Sequence, residues 1–457
     1  MDCALKNVGA KIKPQIICTS KCIFANSNNA QPDNAFKYTV CNNAFDFLTK
    51  GLRIDFGKLN AREEDMPYWE ELASNIDVAD FDFDAFVNQR FNTSSLNEEN
   101  AFVQTWFEYR DEFSRWLLKT YFVWKTDERN YLLRVLESIT SLGSSDLFSQ
   151  IATQIFEEPL DETSISQRLA LLREAKRQHV QITSLAEQKV SAKLSAMAAD
   201  PERGPLFAMK YMSPLTLSEQ CLMTEWVGQR RIEKNYIKIL FPELYAYLQP
   251  SSVQTEKGNS WINYYFKEYC LSKVGNHQTE NLANKLKELN ASQVSFETWR
   301  NGFKTVKTFM HNRQDIDIYY WIDGLGVDWI PFITQVLEKH KADGVFVNEI
   351  YVAASELPTV TSVNKTKLDE MAGGKLEKIG DVDKFAHTQK KYPAYLIEEL
   401  RIVEDAISKV LSQYNGKKIA FVSDHGISYM AQFGAGLNLA GVETDHAGRC
   451  GHWLKGA

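Results

Sequence analysis

DIYYWIDGLGVDWIPFITQVLEKH, residues 317–340, decides how this chain is read, because the period of its apolar residues changes halfway. The first half is a continuous apolar run that stops at Asp323-Gly324, the pattern of a buried strand running into a turn. The second half, DWIPFITQVLEKH, has helical spacing. The alternation continues downstream. GVFVNEIYVAASE (344–356) reads as a strand, YPAYLIEELRIVEDAISKVLSQYNG (392–416) as a helix, and KKIAFVSDHG (417–426) as a strand again. In that helix Leu396, Leu400, Val403, Ile407, Val410 and Tyr414 lie three or four apart, and Asn415-Gly416 supplies the stop. Strands alternating with helices of this length predict an α/β domain over 313–457, a mostly parallel sheet between helices. The ligand site of such a sheet lies beyond the C-terminal ends of its strands.

Upstream the grammar is helix after helix. Trp106, Tyr109, Phe113, Trp116, Tyr121 and Trp124 recur at helical spacing, and Leu169, Leu172, His179, Ile182, Ala186, Val190 and Leu194 predict one long helix ending at DPERGP (200–205). The aromatic stripe reads as helix packing, with a base-stacking surface as the alternative. His179 shares the apolar face and reads as a core histidine. Amphipathic segments follow at 216–248 and 260–310, so residues 101–312 form a mainly α-helical region, preceded by a mixed region over 1–100. GQRRIEKNYIK (228–238) interleaves basic and apolar residues, as a solvated helix face does; nucleic-acid contact is the sharper reading.

The 457 residues suffice for two or three cores, and 44% hydrophobic with 24% charged residues is a globular composition. No apolar run reaches the roughly 18 residues of a membrane span, and the first residues lack a signal peptide's apolar stretch, so a cytoplasmic protein is expected. A net charge of −7 argues against a nucleic-acid coat but leaves room for a local basic groove. Seven cysteines, an odd number, do not form a disulfide framework, and Cys18 and Cys22 have no second ligand pair for zinc.

The strand-end rule selects the chemistry. Asp323 closes the first strand, Pro358-Thr359-Val360-Thr361 follows the second, and Asp424-His425-Gly426 closes the third. Between them DVDKFAH (381–387) places Asp383 and His387 four apart, on one face if helical. Oxygen and nitrogen ligands of this mix suit zinc, or manganese where carboxylates dominate. Two such cations can activate a hydroxyl and hold a phosphate.

The order WIDGLG, P-T-x-T-x-x-N, D-x-x-x-H, VSDHG resembles the alkaline phosphatase superfamily, and within it the PglZ domain of bacterial BREX phage-defence systems, over about residues 315–457. The resemblance implies an alkaline-phosphatase-like fold and two divalent metals, zinc or manganese. Asp323, Asp424 and His425 would bind one, and Asp383 and His387 the other. Thr361-Ser362-Val363-Asn364 matches the superfamily's T-x-x-N, which implies Thr361 as nucleophile and Asn364 as a phosphate donor, with Thr359 in reserve. The family's final HGG-like histidine has no counterpart, since DHAGRCGHWLKGA resembles an earlier H-x-G-R segment and His446 is not its equivalent; the resemblance implies a domain truncated at its C-terminus.

The function implied is metal-dependent hydrolysis of a phosphodiester such as a nucleotide or oligonucleotide, in phage defence beside a methyltransferase and ATPases. The competing expectations are an inactive scaffold that docks defence partners through its helical region, and a DNA-binding module.

Overall fold

A computed structural model describes residues 40–76, 81–126, 130–157, 159, 161–201, 204–250, 261–291, 301–311, 313–386, 388, 391–413, 416–427, 429–433, 441–445 and 450–453. Cys18, Cys22, His387 and His446 lie outside them. The chain forms two compact units, Met1–Leu142 and Gly143–Ala457, so the boundary falls inside the helical stretch rather than at 312.

In the first unit the helices are α1 (Met66–Asn75), α2 (Phe83–Phe91), α3 (Glu99–Glu108), α4 (Glu112–Lys125) and α5 (Tyr131–Ser138). Asp82, Asp111 and Asn130 start α2, α4 and α5 by accepting the N–H of Ala85, Ser114 and Leu133. Tyr109 is extended and ends α3, so the aromatic stripe spans two helices. Its rings are core. Trp106 and Trp116 are buried, and Trp116 meets Trp69 edge-on at 4.8 Å, which is packing rather than a stacking platform for bases.

The second unit continues with α6 (Ser144–Gln154), α7 (Glu162–Arg177), α8 (Ser184–Ala199), α9 (Gly204–Ala208), α10 (Leu217–Gly228), α11 (Pro242–Tyr247), α12 (Trp261–Gly275), α13 (Glu280–Ala291) and α14 (Val306–Met310). The single long helix expected across His179 is two. His179 is exposed and left-handed at φ 54°, and the bonds His179 N–H to Lys176 O (3.1 Å) and Val180 N–H to Ala175 O (3.0 Å) close α7 before Thr183 caps α8. It is therefore a helix-ending residue, not a core histidine. The basic cluster after Gly228 is likewise no helix face. Arg230 is left-handed at φ 58°, and only a four-residue 3₁₀ turn, Lys234–Ile237, follows.

The sheet is small. β1 (Ile318–Asp323) lies between β2 (Leu376–Asp381) and β3 (Ile419–Val422), parallel to both. Around it run α15 (Ile330–Lys339), α16 (Thr361–Ala372), α17 (Val382–Ala386) and α18 (Ala394–Gln413), followed by an antiparallel pair, β4 (Val442–Asp445) and β5 (Cys450–Trp453). Tyr319 and Trp321 point to one face, where they pack with Leu368 and Ala372 of α16 and Met310 of α14. Ile322 points to the other, where Gly380 of β2 lets it approach Ala406 of α18.

The fold class is thus mainly α with a parallel α/β portion at its C-terminal end. The strand expected over 344–356 is not one: its sole bridge joins Ala354 to Thr305, and Phe346 and Tyr351 are 69% and 51% exposed. Both ladders of β1 are already taken, one of them by LEKIGD (376–381), too polar to read as a strand from its pattern. α10, α11 and α12 pack on α18, α15 and the 327–329 turn, joining the helical and α/β portions in one unit. No helix among the described residues is long and apolar enough to cross a membrane.

Since His179 pays the steric cost of a left-handed turn, His179→Gly is expected to raise stability by about 0.5–1 kcal/mol, read as a higher denaturant midpoint. An unchanged or lower midpoint would show that the ring contributes contacts worth more than the strain.

Candidate metal and nucleophile site at the strand ends

Asp323 ends β1, Asp424 and His425 follow β3, Asp383 sits in the first turn of α17 after β2, and Thr361 opens α16. Four separate elements therefore deliver these side chains to one edge of the sheet. Thr361 Oγ1 donates to Asp323 Oδ1 at 3.2 Å and lies 3.0 Å from His425 Nε2. His425 Nδ1 faces the Gly426 carbonyl at 3.3 Å. A carbonyl only accepts, so with the proton on Nδ1 this contact is a hydrogen bond and Nε2 is free to act as a ligand atom.

Asp323, Asp383 and His425 each offer a ligand atom within 4.8 Å of the others. Asp424 stands beside them. Its Oδ1 accepts from the Trp321 indole at 3.0 Å and from Gly324 N–H at 3.4 Å, while Oδ2 is buried without a hydrogen bond, 3.5 Å from His425 Nε2. Burial pushes the Asp323 carboxyl above its ordinary range, a bond from Lys378 opposes this, and the charge of Asp424 adds to it. Asp323, Asp383 and His425, with an orphaned buried oxygen of Asp424 beside them, could hold a metal ion.

The grouping differs from the expected one. Asp383 lies with Asp323 and His425 in one cluster, while His387, its expected companion, lies outside the described residues. Asn364 stays out of the cluster. Its Oδ1 accepts from Glu356 N–H at 2.8 Å and its Nδ2 donates to the carbonyls of Glu356, Pro358 and Val360 at 3.1–3.3 Å. It is buried as the staple that folds the 356–360 turn onto α16 and so aims Thr361. Thr359 is half-buried and lines an adjoining trough.

Lys378 is the residue the sequence reading missed. It bonds Asp323 Oδ2 at 2.9 Å and Asp381 Oδ2 at 2.6 Å, and stacks over Trp321 at 4.6 Å. Asp381 in turn caps α17, accepting from Lys384 N–H at 2.7 Å, which sets the first turn where Asp383 sits. The only signal was a lysine three residues before an aspartate, in a segment whose strand was not recognised.

Gly324 permits this convergence. Its φ is +74°, and a Cβ there would stand 2.9 Å from Asp383 Cβ. Gly373, with φ +59°, has nothing within 4 Å of its added Cβ and isolates the backbone strain. Gly373→Ala is expected to cost about 1 kcal/mol. Gly324→Ala is expected to cost more and to displace α17, read by denaturation and by loss of bound metal; equal costs would mean that the approach to Asp383 does not matter.

No protein-family model, no curated protein and no solved structure matches this chain.

Proposed function

We propose that the strand-end cluster is the centre of a metal-dependent phosphohydrolase of PglZ type, acting on a phosphodiester with Thr361 as nucleophile. The observation that carries the reading is one hydroxyl at the start of a twelve-residue helix, with a carboxylate at 3.2 Å to take its proton and the ligand imidazole nitrogen at 3.0 Å. The helix N-terminus also favours the incoming phosphate. Asp323, Asp383 and His425 would hold the cation, with Asp424 at its margin. When bound it supplies positive charge that acidifies the hydroxyl and offsets three carboxylates.

In the first step Thr361 Oγ1 bonds to phosphorus, its proton passes to Asp323 Oδ1, and the P–O bond to the leaving alcohol breaks, its oxygen taking a proton from solvent. In the second, water attacks phosphorus and gives a proton to solvent, the P–Oγ1 bond breaks, Thr361 regains its proton from Asp323, and the phosphomonoester is released. The alkaline-phosphatase-like fold, a second cation through His387, a nucleotide or oligonucleotide substrate, and a place in phage defence beside a methyltransferase and ATPases rest on the resemblance of WIDGLG, T-x-x-N and VSDHG.

A second reading has its own observation. Lys378 already neutralises Asp323, and Asn364 is spent on a turn, which is how an inactive scaffold would keep the same cluster folded.

Elemental analysis and turnover of an aryl phosphodiester separate the two. The expected result is at least about one equivalent of zinc or manganese in the wild type, lost in His425→Ala. Thr361→Ala is expected to retain the metal while turnover drops at least about 100-fold. Turnover surviving in Thr361→Ala removes it as nucleophile, and a metal-free, inactive wild type leaves the scaffold reading.

A further inference from the structure

An open trough of about 1750 Å³ begins at the catalytic edge and runs along β3. Thr359, Asp424 and His425 line it, and His425 Nε2 is the atom 3.0 Å from the Thr361 hydroxyl, so its near end lies one side chain from the nucleophile. Its walls are mostly apolar. Tyr265 comes from α12, Ile333 and Leu337 from successive turns of α15, Phe421 from β3, and Phe309 stacks on Tyr351 at 4.3 Å. Ordinary small-molecule clefts occupy about 300–1,000 Å³, so the space takes a long or bulky group.

The charges along it do not suit a polyanion. Arg313 is held by Asp315 at 2.9 Å and Glu349 at 2.7 Å, Lys418 reaches Asp315 at 3.5 Å, and His340 faces Asp343 at 3.1 Å. Each of these basic groups is matched by a carboxylate of its own surroundings. An oligonucleotide would need several of them unpaired to neutralise successive phosphates.

Resting on the phosphohydrolase reading, we infer that the substrate is a phosphoester with one apolar arm, aryl or long alkyl, lying in this trough while the phosphoryl group reaches the cluster. The only charge of such a molecule is at the end where the acceptors, the helix N-terminus and the cation-fitting ligands are. The arm gains affinity by burial against Ile333, Leu337 and Phe421, independently of the chemical step.

The test is calorimetric titration of the full chain, supplied with manganese, with methyl-, butyl- and octylphosphonate below micellar concentrations. Affinity is expected to rise about 100-fold from methyl to octyl, a fraction of the full transfer value for seven methylenes. Octanol is expected to bind at least about tenfold more weakly than octylphosphonate, because it lacks the anchored charge. Ile333→Glu is expected to leave methylphosphonate binding unchanged, which shows the site still folded, and to cut the chain-length gain below about fivefold; Leu337→Gln, one turn on, repeats the loss with a neutral residue. A flat series overturns the inference, and so does octanol matching octylphosphonate, a single-stranded oligonucleotide displacing octylphosphonate at equal concentration, or a dimer in sedimentation that closes the trough. Turnover surviving in Thr361→Ala with the series intact would instead sink the nucleophile and leave the apolar arm standing.

Discussion

β1 is hydrogen-bonded to a parallel strand on each side, and the site depends on that constraint. Parallel pairing points three C-terminal ends to one edge, so residues from positions 323, 383 and 424–425 meet although they lie up to a hundred residues apart in the chain. The register sets Asp323 opposite Asp381, whose side chain caps α17 and bonds Lys378. Trp321, two residues earlier on β1, sends its indole N–H across to Asp424. The charged edge is thereby built from the ends of a sheet whose middle is apolar. Buried acids at such an edge are costly without partners; Lys378 supplies one to Asp323, and the Trp321 indole and Gly324 N–H supply two to Asp424.

The helices between residues 143 and 312 are part of the same unit. Lys273 of α12 is buried with Glu399 of α18 at 2.8 Å and Asp328 at 3.7 Å, and Tyr247 of α11 donates to Asp328 at 2.7 Å. Burial pulls the lysine's pKa down, but the two carboxylates outweigh it and hold the ammonium above its usual range. Removing one partner of such a group strands a buried charge, typically at about 3–5 kcal/mol. From the same helix Tyr269 donates to the Ile427 carbonyl at 2.9 Å and accepts from Tyr429 N–H at 3.0 Å. The loop carrying His425 is therefore clamped by a helix that the sequence pattern alone assigned to another region.

Much of the site was legible because its residues sit at the ends of apolar runs. Asp323 after YYWI and Asp424-His425 after IAFV are polar groups exactly where a buried strand must stop, and the structure brings both to the cluster with Thr361 and Asp383. Lys378 and the stapling role of Asn364 were not legible. Lys378 lies in a strand with only Leu376 and Ile379 as apolar side chains, three residues apart rather than two, so the segment carries no strand period. Asn364 looks the same in sequence whether its amide faces a phosphate or three backbone carbonyls.

The sequence by itself determined the places where the backbone needs no distant partner. Helix starts at Asp82, Asp111, Asn130 and Thr216 follow from side chains that accept N–H groups three residues on, and α18 follows from its apolar period. Tertiary structure decided what depends on competition between segments. GVFVNEIYVAA has the better strand composition, yet LEKIGD takes the ladder beside β1. A strand is stabilised by the neighbour it pairs with and the faces it covers, not by its own pattern. The same holds for the ligand grouping. Which carboxylates share one cation is a matter of distances across the strand ends, and those distances exist only once β1 has its two neighbours.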